Sequence, residues 1–366
     1  MTVNAERALR EDPHVRRSIE VLTRGQGTSG ALVASPAFPT YAYAWLRDGA
    51  FCAHALDVAG ERAAAAAFHA WAARSIEGHR SMIESVMDRV GRGDTPSSAE
   101  MPPARYTLDG GLEQDDADEP WPNFQIDGYG MWLWSLEQHL AGGSPDAATG
   151  ATIRLVARYL ERCWQLKCFS CWEEYDDGEH AATLAAVVGG IESAGRLLGD
   201  DDVSGSAGPI RARLLDAFLV DGRFRRGPTD DRVDGSLLWL AVPFGVLAPD
   251  DARVLATIRA VHSDLVAPSG GVYRYLGDTY YGGGEWLLLA SSLAWHEAVL
   301  GNHGAATELQ DWVRAQARPN GDMPEQVTGA AQEPAMVDPW VVRWGPVATP
   351  LLWSHAMYVI AEAVSR

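Results

Sequence analysis

Trp121-Pro122-Asn123-Phe124-Gln125-Ile126-Asp127 runs directly into Gly128 to Leu140, a helical stretch apolar almost all the way round, with Tyr129, Met131, Trp132, Leu133 and Trp134. The next segment, Ala147 to Lys167, reads as a helix with a polar face, and Glu179 to Leu198 is again apolar and rich in alanine, with Gly189-Gly190 inside it. A helix that is apolar on every side must be enclosed by neighbours, and small residues let those neighbours come close. A helix with a polar face lies outside. The alternation therefore predicts inner and outer helices, and no run of residues suggests paired strands.

The same alternation extends in both directions. Ala5 to Thr23 precedes a small-residue helix from about Gly49 to Val58, and Glu61 to Val90 reads as one long helix before Gly128. Pro209–Leu219 pairs with Gly235–Val246, Asp251–Val261 with Gly284–Leu300, and Ala305–Ala317 with Thr349–Val364. Six inner and six outer helices make an all-α closed toroid, an (α/α)6 barrel spanning residues 1–366 as one domain. No fixed-period repeat supports an open solenoid. The inner-helix N-termini then meet at one end, gathering Arg47-Asp48, Gln125 with Asp127, Glu173-Glu174, Asp234, Asp278 to Glu285 and Trp353-Ser354. Gly91 to Glu119 is a polar, proline- and glycine-punctuated excursion long enough to suggest a functional loop.

Composition narrows the function. A net charge of −19 argues against nucleic acid and anionic membranes as partners. Lys167 is the sole lysine, so no phosphate-binding Gly-Lys motif is available. No segment has the ~18 uninterrupted apolar residues of a membrane span, and Met1 to Arg17 lacks the apolar core of a signal peptide, so a cytoplasmic protein is expected. Cys163, Cys168 and Cys171 fit part of an iron–sulfur spacing, but no fourth cysteine follows; reduced thiols are expected. Gly25-x-Gly27-x-x-Gly30 follows a helix rather than a strand and reads as a loop. No metal-ligand spacing such as H-E-x-x-H occurs, and neither metal nor cofactor is expected; His180 and His355 read as structural.

Ser170-Cys171-Trp172-Glu173-Glu174-Tyr175 carries the chemistry. Two adjacent carboxyls between aromatics would repel each other and be partly desolvated, and both effects favour a protonated acid. A carboxylic acid that keeps its proton near neutrality is what a general acid requires. The plainer reading is that Glu173 and Glu174 complement the dipole of a helix starting near Gly178. Tyr41-Ala42-Tyr43-Ala44-Trp45-Leu46-Arg47-Asp48 alternates, which would put three aromatics and Arg47 on one face of an extended segment. Of the 14 tryptophans, Trp71, Trp132, Trp134 and Trp164 read as core.

Five ordered blocks, spread over roughly Tyr41 to Tyr358, resemble the glucoamylase-type glycoside hydrolases of family 15. Tyr41, Tyr43, Trp45, Arg47 and Asp48 look like the first, whose Arg-Asp pair grips a terminal glucose. Trp121, Gln125 and Asp127 look like the second. Trp172-Glu173-Glu174 resembles the third, in which the first glutamate is the general acid and the second lines the neighbouring subsite. Arg274, Tyr281 and Trp286 fall in the fourth, within Tyr273 to Tyr275 and Asp278 to Gly283. Glu325-Gln326 and Trp353 resemble the fifth, which supplies the general base. Glu285 departs from the family pattern and could face the sugar, as a rival to Glu325.

The resemblance implies an exo-acting, anomer-inverting hydrolase that releases β-D-glucose from short α-gluco-oligosaccharides of isomaltose or maltose type, with Glu173 as acid and Glu325 as base. A starch-binding module and an N-terminal β-sandwich are not recognisable, which favours small oligosaccharides. Trehalose is an alternative substrate. A sugar epimerase would work through histidines around its cavity, and a non-catalytic sugar-binding toroid would have little need for both Glu173 and Glu325.

Overall fold

The computed structural model describes residues 9–113 and 121–366. The first residues of the expected N-terminal helix and the end of the Gly91 to Glu119 excursion lie outside them. Six outer helices, α1 (Pro13–Arg24), α3 (Arg62–Gly78), α6 (Ala147–Cys163), α9 (Gly208–Ala217), α10 (Ala252–Asp264) and α12 (His303–Gln316), alternate with six inner elements. Five of these are α-helices: α2 (Leu46–Val58), α5 (Asp127–Leu140), α7 (Ala181–Leu198), α11 (Leu287–Val299) and α14 (Leu352–Val364). The sixth, Gly235–Leu240, is a 3₁₀ helix. Each inner element packs on the next, and α14 returns to α2, so the ring closes as an (α/α)6 barrel. Three further helices, α4 (Arg80–Gly91), α8 (Asp201–Gly205) and α13 (Val337–Trp344), lie between these elements in the chain.

Packing explains the small residues of the inner ring. A Cβ on Gly130 would sit 2.2 Å from the Ala186 carbonyl oxygen, and one on Gly190 would sit 2.4 Å from Gly130 Cα, so α5 and α7 touch backbone to backbone there. Helix α7 is the one described helix long and apolar enough to cross a membrane; it lies inside this ring, mostly buried. Trp71, Trp132 and Trp134 are buried in the core and Trp164 packs against it. All four cysteines are buried and unpaired.

Three of the expected elements have other bounds in the structure. The helix expected over Gly235–Val246 stops after Leu240, since Pro243 has no N–H to continue it and Gly245 adopts φ +61°. The expected helix from Glu61 to Val90 breaks at His79, just after Gly78, a residue of low helix propensity. Arg47 and Asp48 belong to the first turn of α2, which begins at Leu46, and only Ala44–Trp45 is extended.

Three two-residue antiparallel pairs brace the mouth and side of the barrel. β1 (Ala44–Trp45) pairs with β2 (Arg105–Tyr106), β3 (Leu219–Val220) with β4 (Arg223–Phe224), and β5 (Glu285–Trp286) with β6 (Gln326–Val327). The first and last immediately precede inner helices α2 and α11. They tie distant loops to the end of the barrel where those helices begin.

Candidate active site

A cavity of about 500 Å3 opens at that end, within the usual size range of small-ligand sites. Tyr41, Trp45, Arg47, Asp48, Trp121, Trp172, Glu173, Glu174, Arg274, Trp286, Glu325 and Trp353 line it, twelve of the residues singled out from sequence. Among the described residues, no histidine lines it.

Glu173 sits in a tight turn closed by hydrogen bonds from Glu173 N to Ser170 O (2.9 Å) and from Ser170 N to Glu174 O (2.8 Å). Its φ of +64° is left-handed, a conformation that costs a non-glycine residue on the order of 1–3 kcal/mol and is concentrated at functional sites. His180 closes the base of the loop, its Nε2 donating to the carbonyls of Cys168 (2.9 Å) and Tyr175 (3.0 Å). It is also the residue before α7, so neither glutamate caps that helix. Among the described residues, all donors to the Glu173 carboxyl reach Oε1: Trp45 Nε1 at 2.7 Å, Gln125 Nε2 at 3.2 Å, and Arg47 Nη2 and Trp121 Nε1 at 3.3 Å.

Arg47 is buried, with Nη1 bonded to Gln125 (2.7 Å) and Asp127 (3.2 Å). Burial works against its charge, but Asp127, Glu173 and Asp48 together hold its pKa above the ordinary value. Gln125 and Asp127 thus stand behind the cavity wall and orient Arg47. Burial pushes the Asp48 carboxyl up to about 7, with Arg47 opposing and Glu173 adding to the rise.

Glu174 holds a second cation in place. Its Oε1 accepts from Arg274 Nη2 (3.2 Å) and its Oε2 from the Tyr275 hydroxyl (2.5 Å), while Asp278 grips Arg274 through two bonds of 2.6 and 2.7 Å. The guanidinium lies 5.0–5.4 Å from the rings of Trp172, Tyr280 and Trp286. The Trp172 indole is fixed by Asp234 at 3.0 Å.

Glu325 comes from another junction. Its N–H donates to Ala348 O (3.0 Å), and the β5–β6 pair holds the next residue beside Trp286. The carboxyl is buried, and Oε2 has no hydrogen-bond partner among the described residues. Burial pushes it up to about 8, against Arg274 and the hydroxyls of Tyr41 and Tyr280, with Asp48 adding to the rise. A rise of this size opposes the ionised form that the base role expected of it requires.

Six of the residues singled out from sequence are absent from the cavity wall: Gln125 and Asp127 behind Arg47, and four others. Glu285 turns to the 269–271 loop, accepting from the Ser269 hydroxyl and from Gly271 N (3.0 Å). Tyr281, at φ +48°, is buried with its hydroxyl on Gly345 O (2.8 Å), and its neighbour Tyr280 takes the cavity position, 2.7 Å from the Tyr41 hydroxyl. Gln326 bridges Gly284 N and Tyr280 O. Tyr43 packs against the Arg105 guanidinium, which also covers Trp121 at 3.6 Å and pairs with Glu113.

Sequence reasoning missed Tyr280 and α13, which brings Trp340, Arg343 and Trp344 to the cavity. The signal was present as two tryptophans at i, i+4, a spacing that puts both on one helix face. Trp344 stacks against Trp121 with ring centroids 6.3 Å apart. Ala34, Pro122, Cys171 and Leu351 complete the wall.

The chain is similar to known proteins along nearly its whole length. The sequence model of "Glycosyl hydrolases family 15" matches residues 11–328. The isomaltose glucohydrolase of Kribbella flavida is 40% identical over 353 residues, covering 94% of this chain and 90% of that protein. A solved glycosidase in complex with glucose superposes with a TM-score of 0.91 at 37% identity, over 100% of this chain and 99% of its own. A bacterial glucoamylase complexed with acarbose shares the fold at a TM-score of 0.73 and 20% identity, over 96% of this chain and 55% of its own. With carboxyls and arginines set among aromatic rings at the mouth of an (α/α)6 barrel, and this similarity along nearly its whole length, the chain is a glycoside hydrolase and belongs to glycosyl hydrolases family 15.

Proposed function

We propose that this cavity is the active site of an exo-acting, anomer-inverting α-glucosidase that removes the non-reducing glucose of short α-gluco-oligosaccharides, with α-1,6-linked isomaltose the first candidate. The observation that carries the reading is that Glu173 and Glu325, from separate inner-helix junctions, line one cavity with different partners. Such a pair meets the need of an inverting glycosidase for one acid and one base. The similarity to a protein named isomaltose glucohydrolase supports the linkage.

In this reading Arg47 and Asp48 hold the hydroxyls of the terminal sugar, and the rings of Trp45, Trp121, Trp172 and Trp286 exclude water and cover its apolar faces. Glu173 Oε1 is occupied by its four donors, so Oε2 carries the proton and delivers it to the glycosidic oxygen as that bond breaks. A water bound at Glu325 Oε2 attacks the anomeric carbon from the other face and gives its proton to that carboxylate. The product is β-glucose. Turnover requires Glu325 ionised, so its burial moves the acid side of the pH profile upward. Glu174 and Arg274 meet the next sugar, and Trp340 and Trp344 form the rim beyond it.

Glucose release from isomaltose, maltose and trehalose, compared as kcat/KM, tests the proposal. Isomaltose is expected to lead. A preference for trehalose would reassign the linkage, and no release from any of the three would refute the activity.

A further inference from the structure

Away from the cavity, at the other end of the inner helices, Asp57, His69 and His139 converge from the end of α2, the middle of α3 and the end of α5. Asp57 lies ten residues after Arg47 on the same helix, roughly 15 Å along its axis. One carboxylate oxygen and one nitrogen from each imidazole all lie within 4.8 Å of one another. His139 Nδ1 is 2.9 and 3.0 Å from the two oxygens of Asp57, and the rings of His69 and His139 have centroids 5.0 Å apart.

His69 makes this more than an ion pair. It is only 4% exposed, and neither ring nitrogen has a hydrogen-bond partner among the described residues. Buried polar atoms are nearly always satisfied, so two unpartnered nitrogens on one side chain require an explanation. Packing alone does not give one, since a leucine or phenylalanine would fill the space without two polar atoms. Arg62 is the competing cation, with Nη1 3.8 Å from Asp57 Oδ1 and Nη2 donating to His139 O at 2.7 Å; its side chain is 58% exposed and has room to swing into solvent.

We infer that Asp57, His69 and His139 form a site for a divalent first-row transition metal, zinc in the first instance. Two imidazoles and one carboxylate suit zinc and leave a fourth tetrahedral position for water. The ligands are far apart in sequence, which is why no spacing motif announces them. The bound ion clamps α2, α3 and α5 together at the end where α2 turns into α3. Its contribution is to the folded state, because a metal that binds only the native chain raises its melting temperature.

The test uses the tag-free full chain, stripped with a chelator and titrated with the metal alone. Calorimetry is expected to give one Zn(II) per chain and a melting-temperature rise of roughly 2–5 °C at saturation. Co(II) in its place is expected to give visible absorption of the tetrahedral type. His139→Gln and Asp57→Asn should each weaken zinc binding at least tenfold, with glucose release unchanged. Absence of zinc binding and of the Co(II) spectrum in the wild-type chain would overturn the inference. Wild-type affinity in both variants would do so too. Because the Co(II) spectrum is read on the unaltered protein, a variant that fails to fold does not remove the test.

Discussion

The indole N–H of Trp45 donates to Oε1 of Glu173 across 2.7 Å, and three further donors converge on the same oxygen. One carboxyl oxygen is thereby immobilised and the other left to do chemistry. The left-handed backbone at Glu173 aims the side chain into this cluster, and His180 pins the loop from behind.

Glu173→Gln keeps an acceptor oxygen for these donors but has no proton to deliver. We expect kcat on isomaltose to fall by ~10²–10⁴-fold, the usual contribution of a general acid. Glucose binding measured by calorimetry should stay within a few-fold of wild type. Near-normal turnover in this variant would remove Glu173 from the acid role.

Arg47→Lys tests the positioning of the terminal sugar. Arg47 reaches Gln125, Asp127 and Glu173 at once, and an ammonium on a flexible stem does not reproduce that planar fork. The variant should lose at least roughly tenfold in kcat/KM. It should also melt earlier, because Asp127 is buried and loses its partner. Wild-type kinetics would show that Arg47 is structural.

The pH behaviour of Glu325 follows from its burial. Its carboxyl is raised from 4.5 to about 8 in the folded chain, so the folded state binds the extra proton between those values. Stability associated with that proton is present below about 4.5 and is lost as pH rises towards 8. Glu325→Gln should therefore be more stable than wild type at pH ~9, by on the order of a few kcal/mol, and nearly equal in stability at pH ~4. In wild type, kcat/KM should fall with acidification along a limb lying above the ordinary carboxylate range. A limb near 4.3 would show that the cavity solvates Glu325 better than its burial implies.

Much of this was legible in the sequence, for physical reasons. Helices apolar on all sides had to be inner ones, and that alone set out the ring. Trp45 and Arg47 reach the cavity because they stand at the start of α2, and Glu173 and Glu325 reach it from the loops that lead towards α7 and α14. What could not be read were choices made by backbone conformation. A left-handed Tyr281 sends its own ring into the core and gives the cavity to Tyr280. Period-two alternation placed Tyr43 with Tyr41 and Trp45, but the extended segment is only Ala44–Trp45, and Tyr43 packs on Arg105 instead. Glu285 looked like a pocket carboxylate beside Trp286, yet the β5 pleat points the two residues to opposite faces.

Chemical rescue separates Glu285 from Glu325. Azide should restore turnover of an α-glucosyl fluoride by Glu325→Ala and yield β-glucosyl azide. Glu285→Ala should gain nothing from azide; its defect should be thermal, since Ser269 and Gly271 lose their acceptor. Rescue of the Glu285 variant alone would move the base to that residue.

The central claim is that Glu173 and Glu325 act as acid and base across one glycosidic bond rather than as acid and nucleophile. Proton NMR of the first turnovers on isomaltose reads this directly, before mutarotation mixes the anomers. The account predicts β-glucose as the initial product; α-glucose would contradict it.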